Sequence, residues 1–112
     1  PRPPPPLDAV FQALADPARR QMLERLTLGP ASVSQLAEPL PMSLAAVGQH
    51  VAVLEAAGLV QSLKVGRVRT CTLDTTVLTQ AEQWINARRV AVGHQLDRLG
   101  EYLAATKPAD EV

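Results

Sequence analysis

The feature that most constrains this chain is a pair of short amphipathic helices joined by a very short connection. Ser32 and Gln35 have the spacing of a capping box and predict the start of a short helix, which nearby prolines end. Ser43 predicts the cap of a second helix that runs to about Ala57. Because only residues 38–42 join them, the two helices must cross steeply. This spacing predicts a helix-turn-helix.

The helix after the turn has one apolar stripe and one outward face. Positions i, i+3, i+7 and i+10 are apolar, which predicts a buried stripe of Leu44, Val47, Val51 and Leu54. The outward face suits a DNA major groove, where Gln49 can pair with adenine. The residues of this helix predicted to contact DNA are Ser43, Ala45, Ala46, Gln49 and His50. For His50, a hydrogen bond within the helix-turn-helix is an equal alternative.

Two more helices are predicted before this pair. Apolar residues at helical spacing predict a first helix over residues 7–14. Asp16 and Pro17 predict the start of a second helix, because Asp caps free amides and Pro fits the first turn. Arg19 and Arg20 on that helix are expected to be solvated, with phosphate contact as the alternative.

A β-hairpin is predicted after the helix-turn-helix. Residues 59–64 and 67–73 are two runs that favour β-strands, and they flank a turn that contains glycine; in the second run Val68, Thr70 and Thr72 alternate with the other side chains. Lys64, Arg67 and Arg69 lie near its tip with no acidic residue among them, and we expect them to bind DNA phosphates or to enter the minor groove. A charged edge that discourages strand pairing is the alternative. With a last helix, the order helix, helix, helix, helix, strand, strand, helix predicts a mainly α winged helix-turn-helix.

The last predicted helix runs from about residue 76 to 105. Its apolar residues recur every seven positions at Leu78, Ile85, Val92 and Leu99, with Leu96 and Leu103 on the same side. A helix of about 30 residues reaches about 45 Å, which exceeds the width of so small a domain. The stripe covers either the domain's own core or a second subunit, and its length favours a homodimer.

Charge and cysteine content narrow the class of protein. The 11 basic and 11 acidic residues balance, unlike the basic excess typical of DNA-binding domains, so the local cations of the hairpin must supply phosphate binding. The single Cys71 excludes an internal disulfide and fits a reducing compartment; a redox sensor is the alternative to an inert thiol. No apolar run has the length of a membrane span, so a cytoplasmic protein without a membrane partner is predicted.

Three segments in order resemble the ArsR/SmtB family of bacterial repressors. They are residues 11–20 (FQALADPARR), 33–37 (VSQLA) and 46–60 (AVGQHVAVLEAAGLV), and residues 66–74 (GRVRTCTLD) resemble that family's wing. The resemblance covers roughly residues 8 to 75. It implies a homodimer joined through the first and last helices, which represses transcription from a partly palindromic operator and is released by an inducer or stress signal. Together with the apolar stripe of the last helix, it gives a predicted interface of Leu7, Val10, Phe11, Leu78, Ile85, Val92, Leu96, Leu99 and Leu103.

The chain also departs from the family. Leu44, Ala45 and Gly48 stand where the family usually has polar residues, and Ala52 stands where a basic residue is common. The family's metal sensors carry paired Cys on the third helix, or Asp and His pairs on the last helix. This sequence has no such pairs, and its last helix has only His94. No metal site and no cofactor are therefore predicted.

Other functions remain as alternatives. No catalytic arrangement of side chains is present in the sequence, so an enzyme is not predicted. A winged-helix module that binds a protein is one alternative, and a repressor released by an unknown small-molecule ligand is another. The expected organisation is a Pro-rich disordered tail (1–6), a DNA-binding domain (7–75), a dimerisation helix (76–106) and a disordered tail (107–112).

Overall fold

The computed structural model describes residues 7–106, and its elements follow the predicted order with one addition. In chain order they are α1 (Leu7–Leu14), α2 (Pro17–Leu26), β1 (Ala31–Ser32), α3 (Val33–Ala37), α4 (Leu44–Ala56), β2 (Val60–Val65), β3 (Val68–Leu73) and α5 (Thr76–Thr106). The predicted fold class, a mainly α winged helix-turn-helix, is confirmed. The tails predicted to be disordered, residues 1–6 and 107–112, lie outside the described residues.

Local side chains set the helix starts, as the sequence predicts. The Asp16 carboxylate accepts hydrogen bonds from two backbone N–H groups in the first turn of α2, at 2.8 and 3.2 Å. Ser32 and Gln35 form a reciprocal capping box at α3, with distances of 3.1 and 2.8 Å. The Ser43 hydroxyl accepts the backbone N–H of Ala46 at 3.1 Å and caps α4. Each such cap stabilises its helix by about 1 kcal/mol.

The hairpin gains a third strand that the sequence does not predict. β1 pairs antiparallel with β3, with Ala31 opposite Cys71 and Ser32 opposite Thr70, so the strand order is β1-β3-β2. This strand corrects the predicted order. It has only two residues, too few to show an alternating pattern, and only its pairing with β3 makes it a strand.

β2, β3 and the turn between them form what we call the wing. Their register runs from Val60 opposite Leu73 to Val65 opposite Val68. Gly66 lies in the turn with a φ of 62°, in the left-handed region that favours glycine. The base of the wing is buried at Val60 and half-buried at Leu73, whereas its tip is exposed. The tip is therefore free to contact another molecule.

One hydrophobic core lies among α1 to α4, the base of the wing and the first turns of α5. Its buried members are Val10, Ala13, Met22, Leu23, Leu26, Ala31, Leu36, Leu40, Val47, Val51, Leu54, Ala57, Leu59, Val60, Cys71, Val77 and Ala81. Fully burying a Val or Leu side chain contributes roughly 1.5–3 kcal/mol, so the three buried residues of α4 hold this helix firmly in place.

Two predicted positions are wrong. Leu44, predicted in the buried stripe, is 55% exposed, because α4 begins at this residue and the core starts one turn later at Val47. Val10, predicted in the dimer interface, is 0% exposed within the fold and cannot face a partner. An apolar helical pattern does not distinguish a side that meets the chain's own core from one that meets a second subunit.

The chain divides into two compact units after Ala81. The second unit is the rest of α5, where every described residue except Gly93 is exposed. There the Arg88 guanidinium lies 4.8 Å from the centroid of the Trp84 ring. Within residues 7–106, no helix combines the length and apolarity needed to cross a membrane.

Candidate nucleic-acid interface

The outward face of α4 carries one polar side chain among small residues. At about 100° per residue, Ala45, Gln49 and Ala52 lie within about 60° of one another, opposite the buried stripe. All three are exposed. The Gln49 amide makes no hydrogen bond to another of the residues described. Its donor and acceptor are therefore both available to a base edge.

The remaining predicted residues of α4 lie on the flanks of this face. Ser43 is exposed at the cap, and Ala46 and His50 are half-buried on the side of α1 and α2. On the other flank, Glu55 contacts the wing, and Leu44 and Gly48 share that side of the helix. The predicted residues Ala45 and Gln49 thus face outward, whereas His50 faces partly into the fold.

Arg19 joins α1, α2 and α4 through one guanidinium group. Its Nε donates to the carbonyl oxygen of Ala13 at 2.7 Å, and its Nη2 donates to that of Gln12 at 3.0 Å. Its Nη1 lies 3.2 Å from Nδ1 of His50, which must accept because arginine only donates. The Arg19 side chain is 16% exposed and 3.8 Å from the Asp16 carboxylate. Arg19 is therefore not the solvated residue that the sequence predicts.

The contact with Arg19 also bears on the two roles open to His50. Its Nδ1 is occupied within the fold, and only Nε2 is left for a base or a phosphate. The structure supports the role of His50 within the helix-turn-helix. The neighbouring Arg20 is exposed and donates once, to the carbonyl oxygen of Leu14 at 2.8 Å.

The cap of α2 is electrostatically favourable. The backbone N–H of Arg19 holds the pKa of the Asp16 carboxyl below its ordinary value, with further lowering from the backbone of Ala18 and the charge of Arg19. The ionised carboxylate therefore stabilises the start of α2 and faces the guanidinium that reaches His50.

The wing presents the three predicted cations at its exposed tip. Lys64 and Arg69 are opposite each other in the β2–β3 register, and Arg67 lies in the turn. Nη1 of Arg69 donates to Oγ of Ser62 at 2.8 Å, and this hydroxyl donates to the Glu55 carboxylate, 3.1 Å from each oxygen. The Glu55–Ser62–Arg69 chain thus links the wing to α4.

The three cations of the wing differ in whether another side chain holds them. Arg69 is held by Ser62, so it positions the wing as well as adding charge. Lys64 and Arg67 make no hydrogen bond or ion pair to any other residue that the structure describes. Their charges are the ones most available to phosphate.

A shallow depression of about 320 Å³ lies between α3, the start of α4 and the wing. Two arginines, two serines and three apolar residues line it: Arg67, Arg69, Ser32, Ser34, Val33, Leu44 and Val68. No acidic residue is among them. The depression is therefore positively charged and partly apolar.

Asp74 joins the base of the wing to α5. Its carboxylate accepts the backbone N–H of Thr76 at 3.0 Å and the side-chain amide of Gln61 at 2.8 Å. The Thr76 hydrogen bonds, with help from Gln61, lower the pKa of the Asp74 carboxyl from its ordinary value. This contact holds the end of β3 against the start of the last helix.

Cys71 has the environment of a structural thiol. It is fully buried in the core. Burial raises the pKa of the Cys71 thiol, the nearby Glu55 carboxylate raises it further, and Arg69 lowers it. Because the thiolate is the reactive form, this environment favours the inert role over redox sensing.

Metal binding has no support in this structure. Among residues 7–106, no three His, Cys, Asp or Glu side chains lie close enough together to hold a metal ion. His94 lies on an exposed part of α5.

Sequence reasoning missed the residues that join the elements of this surface. Glu55 and Ser62 meet only because the wing folds back beside α4, and Arg19 meets His50 only across two helices. No local pattern indicates either contact. The exposure of Leu44 did have a signal, because this residue directly follows the helix cap.

Comparison with known proteins agrees with this geometry. Residues 14–62 match the model of a family described as a helix-turn-helix domain. Over 71 residues the chain is 48% identical to the HTH-type transcriptional regulator Rv2034 of Mycobacterium tuberculosis, and the match spans 63% of this chain and 66% of that protein. It is 29% identical over 79 residues to the transcriptional repressor SdpR of Bacillus subtilis, across 70% of this chain and 88% of SdpR.

A solved structure is similar over almost the whole chain. The ArsR-like transcriptional regulator from Rhodococcus sp. RHA1 superposes with a TM-score of 0.80 at 30% sequence identity. The match covers 90% of this chain and 93% of that one.

Proposed function

Because the chain belongs to the ArsR/SmtB family of winged helix-turn-helix transcriptional regulators, we propose that it is a homodimeric repressor of a partly palindromic operator. It is a DNA-binding transcriptional regulator and not an enzyme. In the proposed complex, α4 of each subunit enters a major groove and the wing lies on the adjacent backbone. The name of the relative SdpR supports repression. The compartment that we propose is the cytoplasm.

The observation that carries the proposal is that α4 presents Gln49, whose side chain makes no hydrogen bond within the described residues, while a cationic wing is fixed to the same helix. Gln49 has both groups of its amide free to pair with adenine. Lys64 and Arg67 are exposed at the wing tip, where each can neutralise a phosphate. The Ser62 hydroxyl bonded to both Glu55 and Arg69 holds these two parts together. The group that reads a base and the groups that bind phosphate are then held in a fixed position relative to each other.

Few groups on α4 can read bases by hydrogen bonds. Ala45 and Ala52 flank Gln49 on the outward face, and His50 is engaged by Arg19. We therefore propose that Gln49 supplies most of the hydrogen-bonded readout, and that DNA shape and apolar contacts supply the rest.

The exposed seam of α5 supports dimerisation. Ile85, Val92, Leu96, Leu99 and Leu103 are all exposed at alternating spacings that keep them on one side of the helix. Exposed apolar surface of this extent is unfavourable in water, and a second copy of the same helix covers it symmetrically. Leu7, Phe11 and Leu78 are half-buried and remain in the proposed interface; Val10 does not.

A depression in the first unit is a candidate site for an inducer. Four leucines contribute to the lining of a mainly apolar depression of about 250 Å³, together with three polar residues: Leu14, Leu23, Leu73, Leu78, Arg20, Glu24 and Thr27. Typical small-molecule sites hold about 300–1,000 Å³, so only a small apolar ligand would fit. Release of DNA by such a ligand stays a prediction.

A protein partner is the second candidate. It is favoured by the face of the wing on which Leu63, Val65 and Val68 are exposed together. Such binding would depend little on salt, whereas phosphate binding depends on it steeply.

The stoichiometry and footprint of the complex test the proposal. We expect sedimentation to give two chains per operator duplex. We expect hydroxyl-radical footprinting to show two protected half-sites about 10 base pairs apart, centre to centre. One chain per duplex with a single protected site would refute the dimeric arrangement.

A further inference from the structure

We propose that Leu44 and Gly48 form an apolar surface that recognises the C5-methyl group of a thymine in the operator. This inference rests on the proposed function, because it requires α4 to enter the major groove. It assigns a specificity role to two residues outside the predicted contact set. Three observations support it.

The first observation is a glycine that the protein itself does not need. Gly48 lies inside α4, where glycine lowers helix stability relative to alanine. Its φ is not in the left-handed region, and a Cβ added there would meet no side chain or neighbouring element of the described structure within 4 Å. Neither backbone geometry nor packing within the described fold requires glycine here. The absence of a side chain leaves the backbone of α4 open to close approach by another molecule at this point.

The second observation is the exposure of Leu44. This side chain is 55% exposed because α4 begins at this residue, before the part of the helix that packs on the core. Leu44 lies one turn before Gly48 on the same flank of α4, about 40° away around the helix axis. Side chains on a helix lean toward its N-terminus, so a side chain at position 48 would lean over Leu44. The glycine leaves the leucine methyl groups open.

The third observation indicates DNA as the occupant. Leu44 lines the depression that also holds Arg67 and Arg69, and no acidic residue contributes to its lining. An apolar group flanked by guanidinium groups complements a base edge that lies between phosphates. In the major groove, the apolar group on a base edge is the thymine methyl. A protein partner with an apolar surface would not need the two cations.

Thymine-to-uracil replacement isolates the methyl group. A duplex is first selected from a randomised pool by binding to the full chain. Each thymine is then replaced in turn by deoxyuridine, which removes only the methyl group, and affinity is measured by fluorescence anisotropy. We expect one position in each half-site at which the loss weakens binding about fourfold, equivalent to the roughly 0.8 kcal/mol of one buried methylene-sized group.

Two variants locate the contact on the protein. Leu44→Ala is expected to bind the thymine and uracil duplexes equally. Its control is Leu28→Ala, because Leu28 is an exposed leucine outside α4 and the wing, and this variant should keep the fourfold difference. Circular dichroism would check that both variants are folded.

Gly48→Ala tests the close approach. We expect it to raise the Tm by a few degrees, because alanine stabilises a helix interior, and yet to weaken operator binding at least tenfold. Gly100→Ala is the matched control, because an added Cβ there also meets nothing within 4 Å. It should raise the Tm without weakening binding, and sedimentation checks that it is still a dimer, because Gly100 borders the apolar seam of α5. A Gly48→Ala variant that binds as tightly as the wild type would overturn the assignment of Gly48.

The outcomes distinguish this inference from the proposed function. If no thymine shows a uracil effect while the selected duplex still binds specifically, the inference is wrong and the proposed function stands. If the uracil effect survives in Leu44→Ala, the methyl contact lies elsewhere and the inference is wrong. If no duplex is selected from the pool, the proposed function fails, and the inference fails with it.

Discussion

Replacing Arg19 by alanine should destabilise the protein far more than the same change at Arg20, its neighbour on α2. Arg19 donates three hydrogen bonds, two of them partly buried, and lies 3.8 Å from the Asp16 carboxylate. Hydrogen bonds involving a charged group contribute roughly 1.5–3 kcal/mol when buried and less when exposed. The ion pair contributes roughly 0–1 kcal/mol. The two partly buried bonds at the lower end of the hydrogen-bond range, with a small contribution from the exposed bond and the ion pair, give an expected loss of about 3–4 kcal/mol for Arg19→Ala.

Arg20 provides the matched control. It donates a single hydrogen bond from an exposed position, so Arg20→Ala should cost about 0.5 kcal/mol. Arg19→Lys should lose most of what Arg19→Ala loses, because an ammonium group cannot bridge Ala13, Gln12 and His50 at once.

Urea unfolding followed by circular dichroism measures these differences. The midpoint should shift while the slope m stays constant, because the surface exposed on unfolding is unchanged. Protein concentration must be equal in all samples, since dimerisation affects apparent stability. An ordinary surface substitution changes the free energy of unfolding by up to about 0.5 kcal/mol. If the free energies of unfolding of Arg19→Ala and Arg20→Ala differ by less than this, the Arg19 guanidinium does not join the helices.

Four further predictions concern binding, assembly and pH. Arg67→Ala should weaken binding to all duplexes about equally and reduce the salt slope by about one unit; an unchanged slope would exclude a phosphate contact. Gln49→Ala should lose roughly 1–3 kcal/mol of discrimination at one base pair, measured on single-substituted operators. Ile85→Asp should give monomers in sedimentation, because a charge in the seam opposes pairing, and a surviving dimer would place the interface elsewhere. The pKa of Asp74 is lowered in the folded state, so the ionised carboxylate stabilises the fold above the unfolded pKa, and this stabilisation is lost as pH falls through the folded pKa. Asp74→Asn should therefore make the free energy of unfolding depend less on pH between about pH 7 and 3, as measured by urea unfolding.

The helix starts and the wing could be predicted because their signals are local. The capping residues Asp16, Ser32 and Ser43 act within one turn of their own position. The wing is also local, since Gly66 allows the turn between two β-rich runs. Each of these features depends on a few neighbouring residues, so reading the chain in order was sufficient.

The errors arose where distant parts of the chain meet. β1 exists only through its pairing with β3, and the Arg19–His50 contact bridges α2 and α4. Val10 has the same helical spacing as an interface residue, yet it lies fully in the core. Leu44 fits the apolar spacing but lies at the end of the helix, beyond the core. For Val10 and Leu44 the helical spacing was read correctly, but the surroundings of each residue decided whether it is buried or exposed.

The candidate surface was predictable in part. The sequence indicated that Gln49 and the wing cations would be exposed near one another, and they are exposed as expected. It did not indicate that Ser62 joins Glu55 to Arg69, because these three residues come from separate elements. Which of them contact DNA remains a prediction until binding is measured.

Sequence-specific DNA binding is measured by fluorescence anisotropy of the purified protein on a duplex from upstream of its own gene. A scrambled duplex of equal length is the control, and both are titrated at several salt concentrations. We expect tight binding to the upstream duplex alone, with log K falling steeply against log salt. Absence of binding to both duplexes even at low salt would contradict it, and the apolar face of the wing would then direct the search to a protein partner.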